Sequence, residues 1–113
     1  MPEKSSGVGV GVRNLVALVA GPRDWSDNRK SWLSRAARRA GISFRQTKSL
    51  WYGEITDHTH RSARLMRDAA AAHYEQLAES LAQRDPGFHQ PEIDAYLDLA
   101  RSLRHFDASS KRR

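Results

Sequence analysis

Residues 33–52 read LSRAARRAGISFRQTKSLWY, and this stretch decides how the chain folds. Trp32, Leu33, Ala36, Ala37 and Ala40 recur three or four positions apart, the spacing that lines up one face of an α-helix. The oxygen-bearing run Asp24-Trp25-Ser26-Asp27 supplies caps for its start, so a helix is expected from about Asn28 to Ala40. Gly41 stops it, because a left-handed residue after a helix is cheap only without a β-carbon. Ser43 then caps a second helix running to about Tyr52, with Gly53 suited to its left-handed end.

Working outward, Asn14 to Ala20 is a short helix rich in Ala and Leu, ended by Gly21-Pro22. Residues 1–12, rich in Ser, Gly and Val, are expected to form a flexible arm. Their Gly-Val-Gly-Val-Gly run lacks the Gly-Lys-Ser/Thr of a phosphate loop. Downstream, Thr56 or Asp57 caps a long helix reaching about Arg84, roughly 42 Å from end to end. Met66, Ala70, His73, Leu77 and Leu81 form its apolar stripe. After the turn at Asp85-Pro86-Gly87, Gln90-Pro91 opens a last helix with proline at its first position. Its buried face is expected to be Ile93, Tyr96, Leu97, Ala100 and Leu103. No segment alternates as a half-buried strand does, so the fold class is all-α. The organisation expected is one helical domain over 13–107, divided near 55/56, and a basic tail at 108–113.

With 113 residues there is material for one small domain. Mean hydropathy is −0.72, and the longest apolar run, Val8 to Ala20, is interrupted by Arg13-Asn14 and too short for a membrane helix. That run also reads poorly as a secretory signal, so a cytoplasmic location is expected. The absence of cysteine excludes disulfide scaffolds, thiolate metal sites and thiol catalysis. Charge is unevenly distributed. Residues 23–67 carry eleven Lys and Arg against four acids, whereas residues 68–107 carry eight acids against three arginines. A basic block beside an acidic one is what a polyanion partner would select. Arg outnumbers Lys 15 to 4, and the guanidinium fork suits phosphates and guanine edges.

Leu33 to Tyr52 resembles the helix-turn-helix of bacterial and phage DNA-binding proteins. With Leu33 first, Ala37 falls fifth, where the helices cross too closely for a large side chain, and Gly41 falls ninth, in the turn. Ala36, Ala40, Ile42 and Leu50 take inward places. Thr47 departs from the pattern, placing a hydroxyl where a branched aliphatic is usual. The resemblance implies a helix-turn-helix core and a place at the bacterial nucleoid, while the apolar stripes of the two C-terminal helices can pack together as an antiparallel hairpin. It also implies a sequence-specific DNA-binding protein, a transcriptional regulator, that needs no cofactor and binds double-stranded DNA as a homodimer. The second helix would present Ser43, Phe44, Arg45, Gln46, Lys48, Ser49 and Tyr52 to base edges. Arg29, Lys30, Arg35, Arg38 and Arg39 would grip phosphates. The stripe Met66, Ala70, His73, Leu77 and Leu81 would supply the dimer surface.

The competing expectation is a helical protein-interaction module, such as an adaptor, antiactivator or antitoxin-like protein, meeting a partner through its acidic C-terminal helices. Trp32 and Trp51 are expected in the core, and Trp25 as a staple at the helix entry. His58 and His60 stand two apart and so cannot share a metal as an i, i+4 pair does; they read as capping or surface residues. His73 is expected as a satisfied interior or interface residue. No nucleophile–base arrangement stands out, so an enzyme is not expected.

Overall fold

In the computed structural model, which describes residues 11–105 apart from the side chain of Pro86, all regular structure is helical. The elements are α1 (Val12–Ala20), α2 (Arg29–Ala40), α3 (Phe44–Trp51), α4 (Arg61–Arg84) and α5 (Pro86–Arg104). The fold is all-α, as the periodicities require, and α5 packs on α4. Most of the expected arm and the whole basic tail lie outside the described residues. The chain divides into two compact units within α4, at Met66/Arg67.

The first unit is built on three short helices, each packed on the other two. Helix α1 starts earlier than the sequence indicates. Val12, assigned to the arm, is its first residue and is buried with Leu15, Val16, Val19 and Ala20. Helix α2 adds Trp32, Leu33, Ala36 and Ala37, and α3 adds Thr47 and Leu50. Ala40 and Ile42, expected inside, are half-buried at the turn. Trp32 and Trp51 meet edge to face with ring centres 5.0 Å apart, an arrangement aromatic quadrupoles favour. The Arg13 guanidinium lies 4.1 Å from the centre of the Trp51 ring. Trp25 is no staple, because its side chain is 96% exposed.

Asn28, rather than the residues before it, caps α2. Its side chain accepts from the Ser31 N–H (2.8 Å), while Ser31 Oγ accepts from the Asn28 N–H (3.1 Å). The helix ends as the glycine requires. Gly41 has φ +75° and ψ +30°, and its N–H donates to the carbonyls of Ala37 and Arg38. The Ile42 N–H also donates to Ala37 (3.1 Å), which completes a Schellman turn. A β-carbon on Gly41 would meet nothing within 4 Å, so any cost of substitution there is conformational. Gly41→Ala is therefore expected to lower stability by about 1–2 kcal/mol, with Gly41→Asn losing less, as measured by urea unfolding.

Helix α4 begins later than expected. Asp57 does not cap it: its carboxylate accepts from the N–H and Oγ1 of Thr59, contacts that lower its pKa. His60 sits at the boundary instead, its Nδ1 accepting from the Ser62 N–H at 3.1 Å and its carbonyl from the Arg64 N–H at 2.9 Å. The resulting helix has 24 residues and is about 36 Å long. Ala63 and Met66 in its first turns are fully buried.

The second unit is a hairpin of α4, from Arg67 onward, and α5. Tyr74 and Tyr96 stack with ring centres 5.8 Å apart, and Arg104 donates to both carboxylate oxygens of Glu75 at 3.0 and 2.8 Å. Ala78, Ile93, Ala100 and Leu103 are buried, but Leu97, expected among them, is exposed, as are Leu99 and Phe88. Helix α5 opens at Pro86, five residues before the expected start. Asp85 caps it by accepting from the Phe88 N–H (3.4 Å), and Pro86 takes the first position. Pro91 consequently falls inside the helix. Its missing N–H leaves only the Gly87 carbonyl without its helical donor, on an exposed residue that water can reach.

Candidate nucleic-acid interface

Helix α3 is held by its caps and by one buried edge. Ser43 Oγ accepts from the Gln46 N–H (3.0 Å), and Gln46 Oε1 accepts from the Ser43 N–H (3.1 Å). This reciprocal pair satisfies two backbone donors at the helix start. Thr47 is fully buried, and its hydroxyl donates to the Ser43 carbonyl at 3.0 Å, which supplies the partner that a buried hydroxyl requires. At the other end the Tyr52 N–H donates to Lys48, and the N–H groups of Glu54 and Ile55 both donate to Ser49.

Several of the residues expected to read bases also make contacts within the chain. Ser43 and Gln46 are engaged with each other, and Ser49 Oγ donates to Glu54 Oε1 at 2.9 Å. Tyr52 Oη accepts from Arg29 at 2.9 Å. Arg45 and Lys48 remain exposed on α3 and form no ion pair among the described residues. Phe44 is half-buried beside them, its ring centre 5.9 Å from Lys48 Nζ.

Two of the residues expected to grip phosphates make contacts within the chain. Arg35 donates to both oxygens of Asp27 (2.9 and 2.7 Å) and to the Ala20 carbonyl (3.0 Å). Arg39 donates to the Val19 carbonyl at 2.8 Å, and Trp32 Nε1 donates to the Gly21 carbonyl at 2.8 Å. The reason is the end of α1. Its last turn has no basic residue of its own, yet the final carbonyls of any helix need donors. Three side chains of α2 supply them. Lys30 and Arg38 stay exposed, and Arg29 leans on Tyr52.

Asp27 is the hub of this corner. Besides Arg35 it accepts from Ser31 Oγ (3.0 Å) and the Asp24 N–H (3.0 Å). The Arg35 guanidinium, followed by the Asp24 N–H, holds its carboxyl down at about 2, below the ordinary 3.8. A carboxylate with a depressed folded-state pKa contributes stability that is complete above the unfolded value and lost as pH falls through the folded one. The midpoint of thermal unfolding is thus expected to fall between about pH 4 and pH 2, and less steeply in Asp27→Asn.

A shallow groove of about 380 Å³ runs between α2 and α3, lined by Arg29, Lys30, Leu33, Phe44, Lys48 and Tyr52. No carboxylate lines it. The sequence names five of these residues separately, but it gives no sign that they share one groove or that Leu33 lies in its wall. The structure thus brings together expected base-reading and phosphate residues. It keeps the proposed dimer stripe apart from solvent in part: Met66 and Ala70 are fully buried, leaving only His73, Leu77 and Leu81 partly exposed. Among the described residues no cluster of His, Asp and Glu has the arrangement of a metal site, and no helix is long and apolar enough to cross a membrane.

Comparison with known proteins gives no relative. The chain matches no family model, no curated protein and no solved structure.

Proposed function

We propose that this chain is a small sequence-specific DNA-binding protein, a transcriptional regulator, that lays α3 in the major groove of double-stranded DNA. The observation that carries this reading is the pairing of Arg45 and Lys48, exposed on a short capped helix, with a groove alongside that three cationic side chains and no carboxylate line. An α-helix such as α3 is about 10–12 Å across with its side chains, which matches the width of the major groove. Arg45 offers a bidentate fork to guanine, while Lys30 and Arg38 on α2 supply charge for phosphates without reading sequence. Residues 68–107, with eight acids against three arginines, repel the same polyanion, which favours docking through the first unit.

Selection of bound sequences from a random duplex library tests this directly. A preferred motif is expected, with affinity falling about 0.9 log units per log salt for each phosphate contact. Two half-sites in the motif would support action as a homodimer. Weak binding with no preferred motif would overturn the reading.

The exposed Phe88, Leu97 and Leu99 on α5 favour a second reading, a protein-interaction module that grips its partner through this helix. Co-purification of a stoichiometric protein, lost on Leu97→Ser with Leu99→Ser, is its expected signature.

A further inference from the structure

The groove between α2 and α3 combines two chemistries that a ligand has to match. Arg29, Lys30 and Lys48 supply positive charge, and Leu33 and the rings of Phe44 and Tyr52 supply apolar surface. A bare phosphate needs donors but makes no use of an apolar wall. A base edge is read mainly through directed donors and acceptors, which Leu33 and Phe44 lack, and its one apolar group, the thymine methyl, is too small to cover a wall made of Leu33 and two rings. A sugar–phosphate unit has both halves: an anion, and a deoxyribose whose carbon face packs on apolar side chains.

Tyr52 adds the decisive contact. Its Oη accepts from Arg29 Nη1 at 2.9 Å, and the Arg29 guanidinium carbon lies 5.9 Å from the centre of its ring. A free arginine at an exposed helix start samples many rotamers and loses that freedom on binding. Braced at one nitrogen, Arg29 keeps its remaining donors for a phosphate. Because its hydroxyl oxygen accepts from Arg29, Tyr52 is placed to orient that guanidinium.

We propose that this groove seats one sugar–phosphate unit of a DNA strand, with Phe44 under the sugar and Tyr52 positioning Arg29 against the phosphate. The proposal rests on the DNA-binding reading above. It reassigns Phe44 and Tyr52 from sequence recognition to affinity. An acidic peptide could match the same two chemistries. DNA is favoured because Arg45 stands next to Phe44 in the chain and three residues from Lys48, so a strand in the groove passes beside the proposed reading residue.

The test uses the full chain and a panel of fluorescein-labelled duplexes differing by single base pairs, read by anisotropy over a range of salt concentrations. Tyr52→Phe is expected to weaken every duplex by about threefold to tenfold and to leave their rank order unchanged. Placed on an Arg29→Ala background, it should add nothing further, since its partner is already gone. Arg29→Ala should reduce the salt slope by about 0.9. Phe44→Ala should weaken all duplexes alike, with circular dichroism showing that each variant stays folded. A changed rank order in Phe44→Ala or Tyr52→Phe would overturn the proposal by placing those side chains on bases. Additive losses for Tyr52→Phe and Arg29→Ala would overturn the positioning role. Sequence-preferring binding that these variants leave untouched would sink the groove and spare the DNA reading. Failure of the unmodified protein to bind any duplex at low salt, with an acidic peptide bound instead, would sink both.

Discussion

Arg45→Ala is expected to keep the fold and lose sequence preference, bringing the best duplex and its single-base variants at one position to nearly equal affinity. The expected loss of discrimination there is about 1–3 kcal/mol, the range for a bidentate arginine–guanine contact. Retention of the fold follows from the structure around it. Arg45 is exposed, forms no ion pair among the described residues, and is not part of the Ser43–Gln46 caps that start the helix. Arg38→Ala is the contrasting variant. It lies in the last turn of α2 and should weaken all duplexes about equally while lowering the salt slope. Competition binding against the motif and a scrambled duplex separates the two outcomes. If Arg45→Ala retains both affinity and preference, α3 is not the reading helix.

The periodic stretches made the helices legible, and local chemistry set where they failed. Gly41 and Ser43 marked their turn and cap correctly because each acts through its own backbone or its neighbour three residues on. The start of α5 was misread because Pro86 and Pro91 both suit a first helical position, and the choice fell to the Asp85 side chain. The start of α4 was misread for a similar reason: Asp57 closes on Thr59, leaving His60 at the boundary. The candidate site was legible as a list of residue types but not as a set of free side chains. Arg35 and Arg39 lie four apart, as phosphate-gripping arginines would, yet the carbonyls they serve belong to α1, between fifteen and twenty residues back in the chain. Ser49 is likewise taken by Glu54 beyond the helix end. Sequence spacing shows which side chains share a face; it does not show which of them are spent on the backbone of another element.

The most damaging single truncation in the first unit is expected at Leu50. Its side chain is fully buried on α3, which otherwise contributes only Thr47 to the buried set. Two of the four residues that α2 buries are Ala36 and Ala37, and an alanine has no rotamer with which to fill a void. A cavity at Leu50→Ala therefore persists, and the expected loss lies in the upper part of the 2–5 kcal/mol range for buried leucine truncations, about 4 kcal/mol. For a domain of this size that corresponds to a fall of roughly 15–30 °C in the unfolding midpoint. Thr47→Val is the matched control one turn earlier. It removes a buried hydroxyl but keeps the branched shape, and the Ser43 carbonyl retains the Thr47 N–H at 3.1 Å, so a change within about 1 kcal/mol is expected. Differential scanning calorimetry of the two variants decides the matter. A Leu50→Ala protein as stable as Thr47→Val would mean that α3 is not anchored through its buried edge, and a rod free to shift on α2 could not hold Arg45 in a fixed register against base pairs.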